Sequence, residues 1–368
     1  MGTPGAEQRA SAEFEIGDGR LSGALAIALG SLSLLAVLCF RFPELLTTPE
    51  LRAVYPLGLV RAVLFGALLL ALAFAALAVL LGNRRAGLAG LALGALAIAL
   101  GGAWVETRAV EPSAHLGLDW FVLDLLVLAL VFVPLERAFA LVREQRILRA
   151  GWRTDLAHFF VSHLLVGALA LLTIAPATWL LGRLASRSLQ AVVFALPLAL
   201  QVALAIVCAD LVQYATHRAF HALPALWRFH AVHHSAREMD WLAGSRLHLV
   251  DVIATRAAGF APLFFLGISQ RALAIYLVLV SFQAVFLHAN VRFRFGPLRW
   301  LFATPEFHHW HHAEAPVDKN FAVHVPLIDR VFGTAWLPGG FPERYGIVGD
   351  PVPDGWWNQL RWPASRER

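Results

Sequence analysis

Runs of about twenty apolar residues recur along this chain, each the length that a helix needs to cross about 30 Å of hydrocarbon. They fall at 21–40, 56–82, 87–105, 120–135, 157–182, 188–214, 252–267 and 272–291. The fold expected from them is all-α, a polytopic integral membrane helical bundle. Composition agrees with that reading: 58% of residues are hydrophobic and 15% charged, and the mean hydropathy is +0.64. An ordinary soluble domain carries about 25% charged residues. The first run is too long for the core of a signal peptide and lacks a basic stretch before it, so it reads as a retained membrane helix.

Fifteen histidines are present, and their spacing is more informative than their number. His217 and His221 are four residues apart, and His230, His233 and His234 repeat at i, i+3 and i+4, as do His308, His311 and His312. On helices each set presents its imidazoles on one face, with His309 pointing elsewhere. Neutral imidazole is a donor for iron, zinc, copper and nickel. A tetrahedral zinc takes four ligands, so eight histidines imply two metals or a wider coordination. A histidine-rich surface that binds metal only incidentally is the competing reading, and three such faces in one membrane chain argue against it.

Other cofactors lack their motifs. There is no H-E-x-x-H to supply a zinc pair with a general base, no cysteine cluster for iron–sulfur, no haem-attachment motif and no convincing G-x-G-x-x-G loop. Electrons for a redox reaction must then come from another protein. The two cysteines, Cys39 and Cys208, lie in separate apolar runs and suggest no disulfide framework. A net charge of +5 and a pI near 9.8 suit attraction to an anionic leaflet better than binding of nucleic acid.

The order HRAFH, WRFHAVHHS, SRLHLVD, HAN, TPEFHHWHH, DKNF and DRVFGT, introduced by PLERAF and GWRTDLAHF, resembles the fatty acid hydroxylase and sterol desaturase superfamily, including its alkylglycerol monooxygenase-like members, over about residues 134–345. The resemblance implies a membrane core with a histidine-rich metal-binding cap on the cytoplasmic side. It implies two iron ions, with zinc able to replace iron in purified protein, and dioxygen as co-substrate. A fatty acyl chain, sterol or related lipid would be hydroxylated or desaturated with electrons from a cytochrome b5-like protein, a ferredoxin or a reductase. The ligands it implies are His217, His221, His230, His233, His234, His308, His311 and His312. His288 of HAN matches an additional ligand, and His248 is a candidate ligand or ligand-orienting residue, although Leu249 stands where relatives often have proline.

Asp210, Tyr214, His217 and His221 share one helical stripe, and an acid near the end of a membrane span is a functional candidate. Asp210 is expected to orient a ligand imidazole or to pair with Arg218, and Tyr214 is grouped with it in the catalytic apparatus. Glu306, Asp318 and Asp329 are further candidates for orienting ligands.

Four parts are expected: a polar lead over 1–20, three additional spans over 21–105, a catalytic domain over 119–345 and a C-terminal interfacial tail over 346–368, anchored by Trp356, Trp357 and Trp362. Arg143, Arg146, Arg149 and Arg153 put their loop on the cytoplasmic face by the positive-inside rule. Counting spans from there brings every histidine cluster to that face, in what would be a bacterial inner membrane. A metal transporter or sensor is the rival reading, and it would place its ligands along the spans instead of at their ends.

Overall fold

The structure is a computed structural model that describes residues 18–48, 52, 56–107, 117–164, 184–349 and 351–365. It is helical, with no strand among the described residues beyond two isolated bridges, Ala140 with Val291 and Ala313 with Tyr345. The chain divides into two compact units, Met1–Ala114 and His115–Arg368.

The first unit packs α1 (Arg20–Arg41), the short α2 (Pro43–Leu46), α3 (Leu57–Leu80) and α4 (Arg84–Ala99). Small residues let the long helices approach: a Cβ on Gly90 would lie 2.6 Å from that of Ala26, and one on Gly23 would lie 2.6 Å from that of Ala86. This is the close packing that small side chains permit between membrane helices. The third span ends as a 3-10 turn, Gly102–Trp104, after Gly101 takes a φ of 120°. Arg61 then donates to the freed carbonyls of Ala103 and Val105, at 2.6 and 2.8 Å.

The second unit contains α5 (Leu118–Ala138), α6 (Trp152–Leu164), α7 (Arg187–Phe194), α8 (Leu198–Ala222), α9 (Pro224–His234), α10 (Leu249–Leu266), α11 (Gln270–His288), α12 (Pro305–His311), α13 (Leu327–Phe332) and α14 (Trp356–Ser365). Seven segments among the described residues are long and apolar enough to cross a membrane: α1, α3, α4 with its 3-10 extension, α5, α8, α10 and α11. The protein is a multi-pass membrane protein.

Two spans differ from the expectation. The helix from Trp152 is described only to Leu164, so the rest of the 157–182 run lies outside the described residues. The 188–214 run is not continuous, because Pro197 has no N–H and disfavours helix at the residue before it; α7 stops at Phe194 and α8 restarts at Leu198. Gln201 mends the break. Its amide donates to the carbonyls of Phe194 and Leu196, and its oxygen accepts from the Ser269 N–H in the α10–α11 turn.

Alanines on α8 make room for its neighbours. Ala205 and Ala209 are buried against Leu263 of α10 and Tyr276 of α11. The packing brings the C-terminal end of α8, the N-terminal end of α10 and the C-terminal end of α11 together, and α9 and α12 close over that junction. Trp362, expected as an interfacial anchor, is buried against Ala231 and Val232 of α9. Trp357 remains exposed, with Arg361 4.5 Å over its ring.

Candidate metal centre

Nine histidines converge at this junction in two groups. One contains His217, His221, His230, His234 and His311, the other His233, His288, His308 and His312, and within each group one ring nitrogen per residue lies within 4.8 Å of all the others. The helices explain the sorting. His233 and His234 are consecutive on α9, about 100° apart around its axis, so they face different groups. His308 and His311 of α12 are likewise divided, and His288 at the last turn of α11 completes the second group.

Outward-facing nitrogens are held by acceptors. The Nδ1–H of His217 donates to the Phe321 carbonyl at 2.7 Å, that of His311 to the Lys319 carbonyl at 2.8 Å and that of His230 to the Asp251 carboxylate at 2.7 Å. His221 faces Asp318 at 3.2 Å through the same nitrogen. In the second group His233 donates to the Arg246 carbonyl at 3.1 Å and His288 to the Ala284 carbonyl at 2.8 Å. Among the described residues no acceptor meets Nδ1 of His234, His308 or His312.

A carbonyl can only accept, so Nδ1 must carry the proton and Nε2 of a neutral ring is left as a lone pair. Those lone pairs point at one another. Nε2 of His217 lies 2.9 Å from that of His230, which is 3.2 Å from that of His234. In the second group His233, His288, His308 and His312 are linked by Nε2 separations of 3.4, 3.1 and 3.1 Å. Nε2 of His221 and of His311 is buried with no protein partner. With metal–nitrogen bonds of about 2.1 Å, ligand nitrogens stand about 3.0 Å apart on adjacent corners of an octahedron and about 3.4 Å apart in a tetrahedron. The residues therefore fit a metal ion in each group.

Burial, and after it the charge that neighbouring imidazoles would carry, push His230, His233, His234, His308, His311 and His312 well below the usual histidine range. The rings are neutral at pH 7, the form that binds metal.

Three of the acceptors come from one short loop. Asp318 and Asn320 adopt left-handed φ values of 60° and 58°, a region that Asp and Asn enter more readily than most residues, and the intervening turn directs the Lys319 and Phe321 carbonyls inward. Asn320 bonds the Phe307 and Trp336 carbonyls and the Trp336 N–H. Asp329 accepts from the N–H groups of Phe321 and Ala322 and from the Thr334 hydroxyl.

Asp210 belongs to this clamp and does not touch an imidazole. Its two oxygens accept from the Val323 and Val325 N–H groups at 2.8 and 2.6 Å, so it acts on His217 only through the loop that carries Phe321. Nor does it pair with Arg218, which donates to the Tyr214 hydroxyl at 3.3 Å. Tyr214 in turn donates to Thr334 and stacks on Phe332, 4.9 Å between ring centroids. Both are supports of the loop, reached because a buried carboxylate at the end of a span finds backbone N–H groups closer than any ring. Glu306 accepts from Arg299 and the Gly340 N–H, away from both groups.

His248 joins neither group. Its Nδ1 accepts from the Val250 N–H as the N-cap of α10, so its Nε2–H donates to the Leu360 carbonyl of α14 at 3.1 Å. His309 points away from both groups and shares a hydrogen bond with the Tyr345 hydroxyl at 2.8 Å.

Sequence reasoning missed Asp251, an acid in the first turn of an apolar helix, and the buried charges behind Arg246. Asp155 bridges Arg149, at 2.7 Å, and Arg246, at 2.5 Å, while Arg149 also reaches Asp240 at 2.8 Å. This network fixes the segment whose Arg246 carbonyl orients His233. Charged residues inside GWRTDLAHF and SRLHLVD were the available signal.

Residues 202–334 match the family model described as fatty acid hydroxylase. The chain is 34% identical over 174 residues to the ornithine lipid hydroxylase OlsE of Rhizobium tropici, covering 46% of this chain and 52% of that protein. It is 30% identical over 147 residues to alkylglycerol monooxygenase of Danio rerio, covering 39% and 32%, and 28% identical over 153 residues to the fatty acid hydroxylase vlmA of a Lecanicillium species, covering 37% and 42%. The chain thus spans about half or less of the length of these curated relatives. No solved structure matches. All nine clustered histidines fall within residues 202–334, the stretch that matches the fatty acid hydroxylase model.

Proposed function

We propose that this protein is an oxygen-dependent di-iron enzyme that hydroxylates a membrane lipid, with its histidines on the cytoplasmic face. The observation that carries the reading is the pair of imidazole groups whose Nε2 lone pairs converge while carbonyl and carboxylate acceptors hold Nδ1–H on the far side of several rings. Five donors in the first group exceed the four of a tetrahedral zinc, which favours iron. Hydroxylation is preferred to desaturation because relatives are named hydroxylases and monooxygenases of lipids. The substrate class is a fatty acyl chain, a sterol or a related lipid.

When bound, the iron pair would supply activation of dioxygen and attack on an unactivated C–H bond. The chain's own residues hold and orient. His217, His221, His230, His234 and His311 form one cage, and His233, His288, His308 and His312 the other. The 318–321 loop, Asp251 and the Arg246 carbonyl set ring orientation, as outer-sphere partners do in metal sites. The rings lie among buried side chains, which keeps bulk water from the reacting centre. Electrons come from an external carrier, a cytochrome b5-like protein, a ferredoxin or a reductase.

Mass spectrometry of whole lipid extracts, from cells carrying the intact chain or His311→Ala, tests the proposal together with metal analysis of both purified proteins. A lipid that gains one oxygen only with the intact chain, and iron that falls in the variant, is the expected result. Equal product from both proteins at equal membrane levels would refute the ligand assignment.

A further inference from the structure

A cleft of about 390 Å³ opens where α5 ends, lined by Arg137, Arg143, Arg146 and Ile147 over a floor containing Glu136 and Asn290. We propose that it binds the phosphate of an anionic phospholipid whose acyl chains lie along the exposed face of α5.

Charge is the first argument. Three exposed guanidinium groups converge on one cleft, and none of them makes a hydrogen bond or ion pair with another described residue. Glu136, the one acid in the lining, is already used: its Oε1 accepts from the Trp241 N–H at 2.7 Å and the Asn290 N–H at 2.9 Å. Glu144, in the same loop, does not line the cleft. The planar forks of arginine match phosphate oxygens in paired hydrogen bonds.

The cleft is also built, not a chance gap in a loose loop. Asn290 exchanges side-chain hydrogen bonds with both backbone groups of Val142, at 2.9 and 3.0 Å, and accepts the Leu141 N–H on its carbonyl. The Arg292 N–H donates to the Phe139 carbonyl at 3.0 Å. A volume near 390 Å³ lies in the range of about 300–1,000 Å³ typical of small-ligand pockets.

Position selects a lipid over a soluble anion. Arg137 stands in the last turn of a membrane span, where a headgroup phosphate lies. Leu123, Leu126, Val127 and Leu130 are exposed along that span, Leu130 by 77%, and Ile147 and Leu148 continue the apolar surface beside the cleft. An acyl chain running down α5 brings its phosphate to the three arginines.

The test is native mass spectrometry of the full chain in detergent, titrated with phosphatidylglycerol or phosphatidylcholine. Phosphatidylglycerol is expected to bind the intact protein and to weaken about 100-fold in Arg137→Gln/Arg143→Gln/Arg146→Gln, at about fivefold per arginine near an anionic group. Millimolar inorganic phosphate is not expected to displace it, and Arg84→Gln/Arg85→Gln, at the start of α4, is expected to leave it unchanged. Equal binding of both lipids, unchanged binding in the triple variant, displacement by inorganic phosphate, or an equal loss in the Arg84/Arg85 variant would each overturn the proposal. Should the triple variant not fold, the singles Arg143→Gln and Arg146→Gln are expected to show about fivefold losses, and unchanged affinity in both would overturn it.

Discussion

Replacing Asp251 with asparagine separates the two histidine groups chemically. The Asp251 carboxylate accepts the His230 Nδ1–H at 2.7 Å, and both residues are buried. Its other oxygen has no protein partner. Asparagine keeps the shape and one acceptor but removes the charge, and charge-assisted hydrogen bonds are roughly twice as strong as neutral ones. Loss of such an outer partner lowers metal affinity by about 10–100-fold, equivalent to about 1.4–2.7 kcal/mol. The loss should be confined to the group that contains His230, because no member of the other group contacts Asp251.

The sign for the metal-free protein is opposite. There the carboxylate is a buried charge with one oxygen unsatisfied, and its removal lessens a desolvation cost. Chelator competition on purified protein, read by metal analysis, should show one of two metals released at about 10–100-fold lower chelator. Thermal unfolding should show a smaller stabilisation by metal and a metal-free midpoint no lower than that of the intact chain. Unchanged release of both metals, or equal weakening of both, would refute this account of Asp251.

Asp155→Ala leaves the buried Arg246 without a carboxylate partner and Arg149 with Asp240 alone and should cost about 3–5 kcal/mol, read as a large drop in thermal midpoint. His248→Ala should leave metal content unchanged and destabilise by about 0.5–2 kcal/mol through the lost N-cap of α10; a fall in metal content would restore it as a ligand. Burial holds His324 below the usual histidine range, so its neutral ring contributes stability that is fully present above the unfolded pKa of about 6.5 and is lost as pH falls below it. His324→Gln should therefore flatten the acid side of a stability–pH curve measured from pH 7 to 5, and an unaltered slope would contradict this.

Local periodicity was enough for much of this molecule. Runs of apolar residues determine membrane helices because hydrocarbon demands them, and the i, i+3 and i+4 spacing of His230, His233 and His234 determines a shared helical side whatever surrounds it. The resemblance carried by HAN also pointed to His288, which joins the second group. Only the tertiary structure decided how nine rings divide. Consecutive His233 and His234 part company, and His308 and His311 do too, because α8, α9, α11 and α12 meet at angles that sequence spacing does not contain. The acceptors behind the rings were equally hidden: Phe321, Lys319, Arg246 and Ala284 act through backbone carbonyls, and a carbonyl leaves no mark in residue identity. Asp210, on the expected stripe, and His248, a candidate from the resemblance, illustrate the converse, since each accepts from backbone N–H groups that the fold brings to it and neither joins a histidine group. Pro197 was visible as a break, but its repair by Gln201 required the turn between α10 and α11 to be folded beside it.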